Sequence, residues 1–168
     1  MIINLRESIG RGKILLIEQT VDIAHLAESQ KEIIEAKPLD IQLKVSYAPG
    51  RVVVNGELST DLLLVCSRCL NHFKEQLTIP FIEIFTNLPE TAYEDEVNYH
   101  QVQEDQTELM PYIEENVILA FPFVPLCSSS CLGLCATCGI NLNERTCLCS
   151  KETLDPRLEG LKDFFTKE

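Results

Sequence analysis

The spacing of apolar residues predicts a chain that changes period several times. Ile2-Ile3-Asn4-Leu5 and Ile14-Leu15-Leu16-Ile17 are short apolar runs that read as strands, separated by a turn at Gly10-Arg11-Gly12. That Gly-x-Gly lacks the further glycine and following helix of a nucleotide-binding loop. From Val21 to Ala36 the period becomes helical, with Ile23, Leu26, Ala27, Ile33 and Ile34 on one face, a break near Ser29, and Thr20 or Asp22 as cap. After Pro38 it shortens to two: Ile41, Leu43, Val45 and Tyr47 alternate with Gln42, Lys44 and Ser46, as in a half-buried strand. A turn at Ala48-Pro49-Gly50-Arg51 leads to a strand over Val52 to Leu58 and a third over Thr60 to Val65. A fourth, Phe73 to Phe85, leaves Cys66-Ser67-Arg68-Cys69 at a hairpin tip.

Periodicity disappears over residues 86–106, which are polar and acidic and read as a loop. It returns as a helical stripe, Leu109, Ile113, Val117 and Ala120, which begins at Thr107-Glu108 and is ended by Pro122 and Pro125. A cysteine-rich segment, 127–150, follows. Asp155-Pro156 then opens a last helix over 155–166, with Leu158, Leu161 and Phe165 on its apolar face. The expected fold is α+β: an antiparallel β-meander or barrel-like sheet over 1–126, two or three helices, and a C-terminal zinc knuckle, all in one domain of 168 residues. A chain of this length, 45% hydrophobic, can bury roughly 70% of its unfolded surface. Metal would therefore pin loops to a core already present. The longest apolar stretch, Val117 to Cys127, is 11 residues and holds two prolines, against the 18 or so that a membrane span needs. No signal peptide is legible in the first 20 residues, so a soluble cytoplasmic protein is expected.

The eight cysteines change the picture most. Six lie between Cys127 and Cys149, and the other two are Cys66 and Cys69. In a reducing compartment, C-x2-C pairs such as Cys66/Cys69 and Cys135/Cys138 read as metal ligands, because one tight turn brings two sulfurs to one ion. Gly139, directly after Cys138, suits the tight backbone of such a turn. Two closed tetrathiolate sites and two Zn²⁺ per chain are expected. One division leaves Cys135, Cys138, Cys147 and Cys149 as a self-contained site and joins Cys127 and Cys131 to Cys66 and Cys69. A rival joins Cys66/Cys69 to Cys135/Cys138, with Cys127, Cys131, Cys147 and Cys149 as the other set. A third option is one occupied site and four spare thiols.

Closed tetrathiolate sites are structural, since a catalytic zinc keeps a position open. His72 is the only histidine near a cysteine and reads as a polar strand residue more readily than as a ligand. His25 and His100 show no partner pattern, and Ser128, Ser129 and Ser130 read as loop. No enzyme, and no small-molecule substrate, is expected.

Charge narrows the partners. The formal net charge is −12, yet residues 75–144 hold 12 acidic residues and no Lys or Arg, while the remainder balances 14 acidic against 14 basic. Nucleic acid is bound by Lys and Arg displacing counterions, so bulk attraction of RNA is excluded and any contact must be local. Arg51, Arg68 and Lys74 are the candidate contacts. Arg68 serves equally as a cation offsetting the thiolates around it. Glu94, Asp95, Glu96, Glu104 and Asp105, otherwise a solvated surface, are candidates to dock a basic protein.

The motifs CSRCL, FPFVPLC, CLGLCATCGINLN and DPRLEGLKDF together resemble the YceD family, the large ribosomal RNA subunit accumulation protein family, over about Lys37 to Phe165. The CSRC pair looks like the family's core feature and GLCATCG like its cysteine-rich branch. The resemblance implies a cytoplasmic bacterial factor for accumulation or processing of large-subunit ribosomal RNA, or for ribosome assembly, with no known catalytic activity. Its partners would be ribosomal RNA, a basic ribosomal protein or an assembly factor. The competing expectation is a redox- or zinc-responsive regulator acting through its thiolates.

Overall fold

The computed structural model describes residues 1–4, 14–28, 30–48, 51–86, 98–102 and 106–149. In chain order these form β1 (Ile2–Asn4), β2 (Ile14–Val21), α1 (Ala24–Ala27), β3 (Ile33–Ala36), β4 (Leu39–Ala48), β5 (Arg51–Val65), β6 (His72–Thr86), β7 (Tyr99–Gln101), β8 (Gln106–Glu108) and α2 (Met110–Ala120). The main sheet runs β2-β4-β5-β6-β7, and β3 pairs with the stretch of β5 that lies beyond the end of β4. Strands β1 and β8 make a separate two-stranded sheet. The fold is mostly β. Its pairings are antiparallel except β6 with β7, which is parallel from Ile84↔Tyr99.

The central hairpin carries the sheet. Strands β5 and β6 pair over 15 residues each, from Arg51↔Thr86 to Val65↔His72. Their alternation buries Val52, Val54, Leu58, Leu62 and Leu64 together with Phe81 and Phe85, against Leu39, Ile41, Leu43 and Val45 of β4. Helix α2 and its N-terminal edge lay Leu109, Ile113 and Val117 on that same core, all fully buried. Each such side chain contributes about 1.5–3 kcal/mol relative to exposure.

Several expectations are corrected. The sheet does not close into a barrel: β2 and β7 end the strand order without meeting. Closure needs long staggered strands all round, whereas β7 has three residues and β1 and β8 pair apart from the main sheet. The inner face is covered by α2 instead.

The helix expected over Val21–Ala36 is only the single turn α1. It starts where the Asp22 carboxylate accepts the Ala24 N–H at 2.9 Å. Ile33 and Ile34 belong to β3, whose ladder to Leu62–Leu64 overrides the helical spacing, as strand pairing does for β-branched residues. Ile34 points outward, 47% exposed.

The second and third expected strands are one continuous strand, β5. Helix α2 begins at Met110 rather than Thr107, which lies in β8 and pairs with Ile3 of β1. It stops at Phe121, whose backbone turns extended ahead of Pro122. The expected loop contains β7 and the start of β8. Glu94, Asp95, Glu96, Glu104 and Asp105 lie outside the described residues, as do the Gly10-Arg11-Gly12 turn, Pro49-Gly50 and the expected helix 155–166. No helix among the described residues is long and apolar enough to cross a membrane.

Candidate metal centres

The two C-x2-C turns fold alike. At the β5–β6 tip the Leu70 N–H donates to the Cys66 carbonyl at 2.9 Å, and the Gly139 N–H donates to the Cys135 carbonyl at the same distance. The residue after the second cysteine is left-handed in both, Leu70 with φ 60° and Gly139 with φ 73°. Glycine takes this conformation freely, whereas in a leucine it costs roughly 1–2 kcal/mol. The first turn therefore holds a strained residue.

Two sets of four sulfurs result. Cys66 and Cys69 from the tip meet Cys127 and Cys131, which follow α2; Cys135, Cys138, Cys147 and Cys149 meet one another. Within each set the sulfurs all lie within 4.8 Å of one another. The first tetrad is the inner one. Cys66, Cys69 and Cys131 are buried with Phe73 and Leu126 packed on them, while Cys127 is exposed. Backbone and side-chain bonds lock its two segments together: Ser67 N–H to Pro125 C=O at 2.9 Å, the Arg68 guanidinium to Cys131 C=O at 2.9 Å, and Leu134 N–H to Arg68 C=O at 3.1 Å. The second tetrad is the outer one, with Cys138 exposed and the other three half-buried.

The separations fit a metal. A Zn–S bond of about 2.3 Å in a tetrahedron gives an edge of about 3.8 Å. In the inner tetrad Cys66 Sγ lies 3.8 Å from Cys131 Sγ, and Cys69 Sγ lies 3.6 Å from Cys127 Sγ. A disulfide needs about 2.05 Å, and all eight thiols are free. Four-thiolate tetrahedra suit zinc or iron.

The turns also select which sulfurs ionise first. Burial pushes the Cys66 thiol up, but the backbone N–H groups of Cys127, Cys69 and Arg68 outweigh it and bring it down to about 6. The N–H groups of Cys138 and Thr137 bring Cys135 down to about 6 in the same way. Cys127 is pushed up to about 12, above all by the Cys69 side chain beside it, and Cys149 is pushed up to about 12, above all by Cys138. Metal uptake at pH 7 is therefore expected to expel protons from Cys127 and Cys149 but not from Cys66 or Cys135, which are already thiolates above their lowered values. Acidification through pH 6 lets protons compete for these two as well, so affinity should fall more steeply below that point. Chelator competition at stepped pH measures the slope, and an affinity flat between about pH 5 and 8 contradicts it.

The remaining candidates fall in different places. His72 pairs with Val65 at the start of β6 and belongs to neither tetrad. His25 lies 3.6 Å from Glu114. The Ser128 hydroxyl accepts the Ser130 N–H at 3.3 Å in a local turn. Arg68 and Lys74 sit at the tip end of the central hairpin. Arg51 lies at the other end, about twelve strand residues or 40 Å from the partner of Lys74, with its guanidinium on the Tyr99 hydroxyl at 3.1 Å. The three cations cannot form one compact patch.

Nothing in the sequence signals a polar cluster under α2. His100, read as unpartnered, bonds the buried Glu83 carboxylate at 2.6 Å, and Asn116 donates to its other oxygen at 2.9 Å. The rings of Phe85, His100 and Tyr112 pack against one another at tilted and edge-on angles, with centroids 4.4–5.3 Å apart. This clasp ties β6, β7 and α2 together, and only the tertiary fold brings its members within reach.

Known proteins place the chain. The sequence model of the family described as "Large ribosomal RNA subunit accumulation protein YceD" matches residues 54–165, which include all eight cysteines. An uncharacterised protein of Mycobacterium tuberculosis is 31% identical over 134 residues, 77% of this chain and 63% of the relative, so the chain spans about three fifths of that relative's length. The large ribosomal RNA subunit accumulation protein YCED homolog 1, chloroplastic, of Arabidopsis thaliana is 24% identical over 74% of this chain and 48% of its own. The uncharacterised YlbN of Bacillus subtilis is 23% identical over 90% of this chain and 88% of its own. No solved structure matches. With well over half of its length matched, the chain belongs to the YceD family.

Proposed function

We propose that the chain is a cytoplasmic, non-catalytic factor in accumulation of large-subunit ribosomal RNA, working as one domain over 1–168 stiffened by two zinc ions. The observation that carries this reading is the family match, which runs through both tetrads. The family's description names the accumulation of an RNA and no reaction. Zinc is favoured among thiolate-binding metals because each closed set of four sulfurs holds a fixed tetrahedron without redox chemistry.

Charge decides how such a protein meets a ribosomal particle. The 12 acidic residues between 75 and 144, with no Lys or Arg among them, favour a basic protein as the main partner. Glu94, Asp95, Glu96, Glu104 and Asp105 would dock it. Arg68 and Lys74 at the hairpin tip, and Arg51 at the far end of the same hairpin, would supply the local RNA contacts.

Sedimentation tests this. The wild-type chain should travel with large-subunit precursors, and changing the five acidic residues to their amides should reduce its bound fraction several-fold. Arg68→Ala with Lys74→Ala should lower crosslinking to RNA while leaving that association in place. Unchanged co-sedimentation of the acidic variant removes the docking role. A wild-type chain absent from every precursor fraction removes the ribosomal reading itself.

A second reading is favoured by the exposure of Cys138: a response to oxidants or zinc supply at the outer tetrad. Release of one zinc by mild peroxide, with the second retained, would support it.

A further inference from the structure

We infer that the two tetrads are energetically coupled through Asn143, so that filling the outer site is needed for full metal affinity at the inner one. This rests on reading both tetrads as metal sites.

Asn143 belongs to the segment between Cys138 and Cys147, and both of those cysteines are outer-site residues. Its side chain nevertheless reaches the inner site. The Asn143 Nδ2–H donates to Cys131 Sγ at 3.3 Å, and its Oδ1 accepts the Leu132 N–H at 2.7 Å. Cys131 is therefore gripped on its sulfur and at the peptide that follows it. Asn141 holds Asn143 in place, its Oδ1 accepting the Asn143 Nδ2–H at 2.8 Å and the Asn143 N–H at 3.1 Å. The same segment is laid on the inner site by the Leu142 N–H, which donates to Gly133 C=O at 2.9 Å. Gly133 has φ 77°, and a Cβ there would come within 3.0 Å of the Arg68 carbonyl oxygen, so the backbone runs directly against the first turn.

An N–H donated to a metal-bound thiolate steadies its charge and fixes its direction. Partners of this kind typically contribute about ten- to a hundredfold in metal affinity. Their effect depends on being held in position beforehand. With an ion at the outer site, the eight-residue loop from Gly139 to Thr146 is closed at both ends. Without it the ends are untied, and the closure entropy must be met by local hydrogen bonds alone. Asn143 then engages Cys131 for only a fraction of the time. Linkage is reciprocal, so an ion at the inner site strengthens the outer one by the same factor.

Zinc titrations of the full chain against a chromophoric chelator test this, with folding checked by circular dichroism. Asn143→Ala should lower inner-site affinity about tenfold or more. Emptying the outer site with Cys138→Ser and Cys149→Ser should lower it by a similar factor, and adding Asn143→Ala to that background should cost little more. Cobalt supplies a second readout: the thiolate-to-metal charge-transfer band of the inner site should shift on loss of the Asn143 N–H and shift alike when the outer site is emptied. An inner site whose affinity and spectrum ignore the outer one overturns the coupling, as do losses that simply add. If the wild-type chain binds fewer than two zincs, the metal reading itself fails and takes the coupling with it. Two zincs bound independently sink the coupling alone.

Discussion

Replacing Cys66 by serine is expected to remove one metal per chain and lower the unfolding midpoint by about 8–16 °C, whereas Cys138→Ser removes the other metal with a shift of only a few degrees. The difference lies in what each tetrad fastens. The inner ion would tie the end of the central hairpin to a segment about 60 residues further on, and closing a loop of that size in the unfolded chain corresponds to about 4 kcal/mol of stabilisation. In a domain of 168 residues each kcal/mol moves the midpoint by about 2–4 °C. Cys66 is also fully buried, and the hydroxyl of serine is a poorer soft-metal ligand that would enter a pocket lined by Phe73 and Leu126. An ion at the outer tetrad would close only the stretch from Cys135 to Cys149, none of which contributes to the main hydrophobic core. Its loss should open that stretch locally without unfolding the sheet. Metal analysis and calorimetry on the two variants check both halves. Equal midpoints for the two would mean that the inner tetrad does not cross-link the fold as its geometry implies.

The reach of the sequence is clearest at the cysteines and the central hairpin. Alternation from Ile41 to Tyr47 and from Phe73 to Phe85 marks strands because one face of each is buried, and a period of two has no other ready explanation. Cys66 and Cys69 can be placed at a tip because both flanking runs are strands. Gly139 is legible because glycine in a metal-binding turn has a conformational reason. Leu70, in the same conformation in the other turn, is not, since nothing in a leucine announces a positive φ. The Val21–Ala36 stretch misleads because Ile33 sits seven residues from Leu26, almost two full helical turns, while its true partner Leu64 lies 31 residues away in the chain. Glu83, His100 and Asn116 are silent for the same reason: each is ordinary locally, and their bonds exist only once α2 lies across β6 and β7. Asn143 is visible as part of a motif, but its grip on Cys131 is a property of two loops crossing.

Gly56→Ala is expected to be the most damaging single-methyl addition in the sheet, costing about 3 kcal/mol and lowering the midpoint by about 6–12 °C. Gly56 stands in the middle of β5 opposite Leu43 of β4 and Phe81 of β6, flanked along the strand by the buried Val54 and Leu58. A glycine in that setting would ordinarily weaken a strand. Here a Cβ would lie 2.0 Å from the Gln42 carbonyl oxygen and 2.9 Å from the Leu43 Cα. Both are backbone atoms of the neighbouring strand, so no side chain can swing aside to make room. The alanine must push β4 away from β5 where Ile41, Leu43 and Val45 of β4 pack into the core, and the ladder on both sides is stretched with it. The site lies seven residues from the partner of Lys74 along β5 and outside both tetrads, so metal stoichiometry should stay at the wild-type value while the midpoint drops. Gly139→Ala provides the contrast: nothing lies within 4 Å of its Cβ, and only the positive φ opposes it, at roughly 1 kcal/mol. Thermal unfolding of the two variants side by side should therefore separate a steric cost in the sheet from a conformational one in the metal turn. A Gly56→Ala protein as stable as the wild type would mean that β4 and β5 do not approach as closely as their register requires.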